Sequence, residues 1–167
     1  PNTDIFGLNF KEELGLLLEN DNIIVENDAN LQAMAEAKAT GLDDLILISI
    51  GTGLGGGIII DGKLLNKNGF AGEIGHIKVH FGANSRMCGC GKLGCSEAYV
   101  SCKAIVKDYN DINHTNVNSK ELFDLARAKD KLAIKCINDC ARYLAITIAT
   151  VVATTGIKEV HIAGGLS

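Results

Sequence analysis

The chain has 167 residues, with 16 Lys and Arg against 20 Asp and Glu, for a net charge of −4. Hydrophobic residues make up 47% and charged residues 22%, the balance of a globular chain with a sizeable core and not of a disordered one. The acidic balance, with a pI near 5.5, excludes a broad electrostatic grip on nucleic acid. No apolar run approaches the ~20 residues of a membrane span; the longest candidate, Leu132 to Thr154, is broken by Lys135, Asn138, Asp139 and Arg142.

Taken in chain order, Phe10 to Glu19 reads as a short amphipathic helix with Asn9 as its N-cap. Ile23-Ile24-Val25 reads as a short buried strand, and Asp28 to Thr40 as an alanine-rich helix stopped by Gly41. Leu45 to Ile50 is a nearly all-apolar strand. A glycine loop, residues 51–57, joins it to a second strand at Ile58-Ile59-Ile60, and Asp61-Gly62 forms a turn. Residues 66–97 are loop-rich, with one strand expected at Ile77 to Val79. Helices are expected at Ala98–Tyr109, at Lys120 to about Ala128 with Ser119 as cap, and at roughly 131–154. Glu159 to Ala163 is a last strand, leading into Gly164 and Gly165. Strands and helices alternate as in an α/β fold.

Six cysteines are present, and Cys88, Cys90 and Cys95 fall within eight residues, interleaved with glycines. Nothing in the sequence reads as a secretory signal, so a reducing, cytoplasmic compartment is expected and a metal clip is favoured over disulfides. Zinc takes four tetrahedral ligands, and three thiolates leave one position open. His76, twelve residues before Cys88, is the natural fourth ligand, with His80 and Cys102 as competitors. Cys136 and Cys140, at i,i+4 on an apolar helix, read as small buried hydrophobes.

Glu26-Asn27-Asp28-Ala29-Asn30 follows the first expected strand and opens a helix, so Asn27 and Asp28 are good N-caps as well as candidate site groups. Gly51-Thr52-Gly53-Leu54-Gly55-Gly56-Gly57 has more glycines than a hairpin turn needs. Its backbone N–H groups and the Thr52 hydroxyl suit an anion such as phosphate. Glu73, His76 and Glu97 add polar groups near the cysteine loop.

Taken together, Glu26-Asn-Asp-Ala-Asn30, Gly51-Thr-Gly-Leu-Gly-Gly-Gly57, Ala71-Gly-Glu-Ile-Gly-His76 and Cys88-Gly-Cys-Gly-Lys-Leu-Gly-Cys-Ser-Glu97 resemble the ROK family of sugar kinases and sugar-responsive repressors. The resemblance implies an actin-like, ribonuclease-H-like ATPase fold. Residues 1–42 would end a small N-terminal domain, and 43–167 would be most of a larger C-terminal domain with a zinc loop, incomplete at both ends. It implies Asp28 as catalytic base, and Asn27, Glu73, His76 and Glu97 as sugar contacts. Gly51, Thr52, Gly53 and Gly55 would form a phosphate loop, and Gly164-Gly165 an adenosine motif. His76, Cys88, Cys90 and Cys95 would hold a structural Zn²⁺, with ATP and Mg²⁺ as cofactors. The implied function is phosphorylation of a hexose or amino sugar by a homo-oligomer with no membrane partner. The alternatives are the sugar-sensing domain of a repressor, which alone would bring a nucleic-acid partner, or an inactive zinc-stabilised sugar-binding fragment.

Overall fold

A computed structural model describes residues 7–66 and 69–166. Helix α1 (Phe10–Leu18) is capped by Asn9, whose Oδ1 accepts the Glu12 N–H, and it ends on Glu19 in a left-handed conformation. The stretch Ile23-Ile24-Val25 is not a strand. It runs without a sheet neighbour among the described residues, and Ile24 is 83% exposed. An apolar triplet becomes a strand only where a sheet edge receives it, and none does here. With Leu16, Leu17 and Leu18 it leaves an exposed apolar surface.

Helix α2 (Asp28–Thr40) begins and ends where the sequence indicates, with Gly41 as its left-handed C-cap. Strands β1 (Leu45–Ile50) and β2 (Leu54–Ile60) pair antiparallel, and Leu47 lies opposite Gly57. The turn at Asp61-Gly62 delivers β3 (Lys63–Leu64), and β4 (Val160–Ala163) pairs parallel to β1. The sheet order is β3-β2-β1-β4, a mixed sheet in an α/β fold.

The glycine run is mostly strand, not loop: Gly55, Gly56 and Gly57 belong to β2. Packing is the reason. A Cβ on Gly57 would stand 2.5 Å from Ala33 Cβ and 3.0 Å from the Ala29 carbonyl, and one on Gly56 would meet Leu47 O at 2.8 Å. The bare backbone of β2 lets α2 lie directly on the sheet, with Ala29, Ala33 and Ala37 buried beneath it.

On the other face, Ile46, Ile48, Ile58, Val100 and Val151 form the main core. Helix α3 (Cys102–Asn113) starts later than the sequence suggests. Two 3₁₀ turns, Ile74–His76 and Ser96–Ala98, bracket the cysteine loop and displace the start of α3 to Ser101, whose side chain caps it. In place of a strand at Ile77–Val79 there is a single bridge, Lys78 to Cys95. Helix α4 (Ser119–Arg127) is capped by Asn118 and not by Ser119, through a reciprocal capping box with Glu121. Helix α5 (Lys131–Thr155) has the length and apolar composition to cross a membrane. In this fold it is a packing helix: Ala133 and Cys136 meet Ile105, Tyr109 and Leu122 of α3 and α4, while Thr147 and Val151 are buried nearer the sheet.

Candidate functional site

The site gathers at the carboxyl end of β1, where an α/β sheet leaves room for ligands. Asn27 caps α2, its Oδ1 accepting the Ala29 N–H at 2.9 Å and the Asn30 N–H at 3.4 Å. Asp28 is the first residue of the helix and is exposed. The carboxylate before it is tied down. Glu26 accepts from Asn30 Nδ2 and from the Asn27 N–H, each at 2.9 Å, and from Asn66 Nδ2 at 2.8 Å. Those donors, the Asn30 amide first, hold the Glu26 carboxyl below its ordinary value. Asn66 in turn accepts the Gly69 N–H at 3.0 Å, so this clasp joins the start of α2 to the segment leading to Glu73. Sequence reasoning named Asp28 and Asn27 but missed Glu26, Asn30 and Asn66 as the groups that fix them. Only the Glu-Asn-Asp-Ala-Asn pattern itself hinted at the first two.

The true loop between β1 and β2 is Gly51-Thr52-Gly53. Gly55, expected in the phosphate cradle, sits in β2, where a Cβ would be 3.1 Å from Ala29 Cβ. The loop is clamped from two sides. Glu97 Oε2 accepts the Leu54 N–H at 3.2 Å, and the Cys102 N–H at the start of α3 donates to Gly51 O at 2.9 Å. A cleft of about 640 Å³ opens beside it, lined among others by Thr52, Gly53, Cys88, Glu97, Ser101 and Lys103. Gly164, at the end of β4, packs against the Ile50 backbone just below the same loop.

The cysteine loop forms a second unit. Its backbone turns through Cys88 N–H to Lys92 O and Gly94 N–H to Arg86 O, both 2.9 Å. One ligand atom from each of His76, Cys88, Cys90 and Cys95 lies within 4.8 Å of all the others. Around a tetrahedral zinc with Zn–S bonds of about 2.3 Å, two sulfurs stand about 3.8 Å apart. Cys90 Sγ and Cys95 Sγ are 3.7 Å apart, and Cys88 Sγ is 3.7 Å from His76 Nδ1. The donor set and its spacing fit a zinc ion. His80 and Cys102 are outside the cluster: His80 Nδ1 is 3.1 Å from Ser85 Oγ and its ring stacks on Tyr99. Burial pushes the Cys88 thiol up to about 12, while the Lys92 backbone N–H lowers Cys90. A thiol that resists ionisation when alone becomes a ligand only with a cation beside it.

His76 turns Nδ1 toward the thiols and Nε2 toward Glu73 Oε2, at 3.7 Å. It therefore belongs to both units. Glu97 is shared in the same way: the Cys88 thiol donates to Oε1 at 3.5 Å while Oε2 holds the loop after Gly53. Arg86, also missed in the sequence, straps the cysteine loop to α3. It pairs with Asp108, donates to the Ala98 carbonyl at 3.3 Å, and lies over the Tyr99 ring.

Known proteins are similar to this chain in sequence and in fold. The glucokinase of Halalkalibacterium halodurans is 34% identical over 165 residues, matching 87% of this chain and 49% of its own length. A ROK family glucokinase from Streptomyces griseus, solved with glucose and AMPPNP, superposes with a TM-score of 0.80 at 32% identity, over 93% of this chain and 56% of that one. A ROK family transcriptional regulator, a homologue of the E. coli MLC protein, superposes with a TM-score of 0.79 at 28% identity, over 91% of this chain and 41% of that one. The chain thus spans about half the length of the curated relative it matches. The ROK family model matches residues 1–167 throughout, and with the motifs in place on the fold the chain belongs to the ROK family.

Proposed function

We propose that this chain is the sugar-binding and catalytic segment of an ATP-dependent sugar kinase, glucokinase-like, acting in the cytoplasm on a hexose or amino sugar. One observation carries the reading. The start of α2 with Asp28, the Thr52 loop, the Glu73–His76 turn and Gly164 all meet around the β1–β2 turn. Ala29 packs on Gly55, a Cβ on Gly72 would meet the Gly56 carbonyl at 2.9 Å and Asn30 Oδ1 at 3.4 Å, and Gly164 lies on Ile50. Phosphoryl transfer needs a base, an anion cradle and a fixed acceptor in one place.

In this reading Asp28 accepts the proton of the attacking sugar hydroxyl as oxygen bonds to the γ-phosphorus and ADP leaves. Asn27, Glu73, His76 Nε2 and Glu97 hold the other hydroxyls, with Glu97 using lone pairs beyond the one given to Leu54. Gly51, Thr52 and Gly53 receive the phosphates, and Gly164-Gly165 flank the adenosine. Mg²⁺ bound with ATP supplies charge neutralisation. His76, Cys88, Cys90 and Cys95 would hold Zn²⁺, whose part is to fix the turn that carries His76 and Glu73.

The test is phosphoryl transfer from ATP to a panel of hexoses and N-acetylhexosamines, by the longest polypeptide that carries this sequence. Asp28→Asn should lower turnover by about 10²–10⁴-fold and leave sugar affinity within a few-fold. Near-normal turnover would remove Asp28 from the mechanism. The likeness to a transcriptional regulator supports a second reading, a sugar-sensing domain. Sugar binding with no transfer to any acceptor, in a polypeptide that also binds DNA, would decide for it.

A further inference from the structure

The four proposed zinc ligands leave a charge that the fold has to balance. Three thiolates and a neutral imidazole around Zn²⁺ carry a net charge of −1. Cys95 is fully buried, so its sulfur is the one least screened by water. Lys78 is the group that meets it. Its Nζ donates to Cys95 Sγ at 3.1 Å and also to the Leu93 carbonyl. The side chain is not a wandering surface lysine. Lys78 and Cys95 are partners in an antiparallel bridge, flanked by the Ser96 N–H to Ile77 O at 2.8 Å and the Val79 N–H to Gly94 O at 2.9 Å. The backbone thus delivers the ammonium to the sulfur at fixed register. The carboxylates that touch the cluster, Glu97 beside Cys88 and Glu73 beside His76, add further negative charge.

We infer that Lys78 is the charge partner of the metal centre, a positioning residue that holds the Cys95 thiolate and neutralises the zinc–thiolate unit. The inference rests on the zinc reading of His76, Cys88, Cys90 and Cys95. Hydrogen bonds to a metal-bound sulfur stabilise its ionised form, and loss of such an outer partner costs about 10–100-fold in metal affinity. A purely structural lysine, anchoring only Leu93 O, would act through fold stability instead.

The experiment is competition for zinc between the purified protein and a chromogenic chelator, comparing wild type, Lys78→Met and Lys78→Arg. Thermal melting of the metal-free forms is read alongside. The expected result is zinc affinity lowered about 10–100-fold in Lys78→Met, within a few-fold of wild type in Lys78→Arg, and metal-free melting shared by all three. Cobalt substituted for zinc should give tetrahedral thiolate spectra in wild type and Lys78→Arg, with the charge-transfer band displaced in Lys78→Met. If Lys78→Met fails to fold, Lys78→Gln is put through the same competition. Equal zinc affinity in wild type and the uncharged variants overturns the role of Lys78 while leaving the zinc site standing. Equal weakening by Met and Arg overturns it as well, in favour of a structural anchor. A wild type that holds no zinc overturns the metal reading itself.

Discussion

Gly57→Ala adds one methyl group at the point where α2 rests on β2. Its Cβ would stand 2.5 Å from Ala33 Cβ, with the Ala29 carbonyl at 3.0 Å, so helix and sheet must separate. Ala33 is fully buried and has no route aside. Overpacking of this kind costs about 1–3 kcal/mol. Replacing glycine in a strand returns about 0.5–1 kcal/mol by restricting the unfolded chain. The net expectation is a destabilisation centred on ~1 kcal/mol and reaching ~2.5 kcal/mol, or a urea midpoint lower by about 0.5 M and at most about 1.2 M at a slope of about 2 kcal/mol/M. Ala33→Gly alone should cost about 1 kcal/mol as a helix-interior glycine. Combined with Gly57→Ala, it removes the nearest clashing atom, so the double variant should show a favourable coupling of about 0.5–3 kcal/mol. Relief stays partial because the Ala29 carbonyl remains close. Urea denaturation of the four proteins measures all of this. Gly57→Ala as stable as wild type, or strictly additive effects, would refute the claim that these glycines exist to seat the helix.

Elemental analysis of the purified protein should find about one zinc per chain. Stripping it should speed amide exchange across residues 73–97 while β1 and β2 keep their protection; unchanged exchange after verified removal would dismiss the clip. The Glu26 carboxyl, held below its ordinary value of 4.5 by Asn30, Asn27 and Asn66, contributes stability that is present above that value and lost as pH falls through the lower folded one. Glu26→Gln should therefore be less stable than wild type near neutrality, and the gap should close on acidification below about 4.5; parallel melting curves from pH 7 to 3 would contradict this.

The parts of the fold that were legible are those whose signals are local. Helix α2 shows an Asn cap, an alanine-rich body and a Gly stop, and β1 is an unbroken apolar run. The cysteine spacing points to the candidate metal cluster for the same reason, since three of its four groups share one tight turn. The failures arise where meaning depends on a distant partner. Gly55 to Gly57 look like loop until α2 is placed on them. Ile23 to Val25 look like strand although no sheet neighbour among the described residues receives them. Asn118 and Ser119 are both good caps, and only the reach of Glu121 back to the Asn118 N–H decides between them. Lys78, Arg86 and Glu26 do their work across gaps of 17, 22 and 40 residues, which no local pattern reports.

The same distinction says what metal loss should and should not reach. The sheet core of Ile46, Ile48, Ile58 and Val151 is apolar, and the cysteine loop adds to it only at its start, through Val79 and the partly buried Ile77. Beyond Val79 the loop's large apolar side chains face solvent: Phe81 and Met87 are 79% and 64% exposed, and Leu93 is also exposed. A segment with so few buried contacts and a handful of turn hydrogen bonds opens at low cost unless an ion closes it. Its outgoing ties then decide the functional consequence: Arg86 straps it to Asp108 and the Ala98 carbonyl. Glu97 Oε2 accepts the Leu54 N–H, and Ser96, fully buried, hydrogen-bonds Thr147 of α5. The Ser96 tie anchors the base of the loop to the core, so opening should stop near Ser96. Glu97 lies beyond that anchor, and the Cys102 N–H holds Gly51 O from the other side, so the Thr52 loop should keep both clamps and the strands on either side of it should remain paired when the metal is lost.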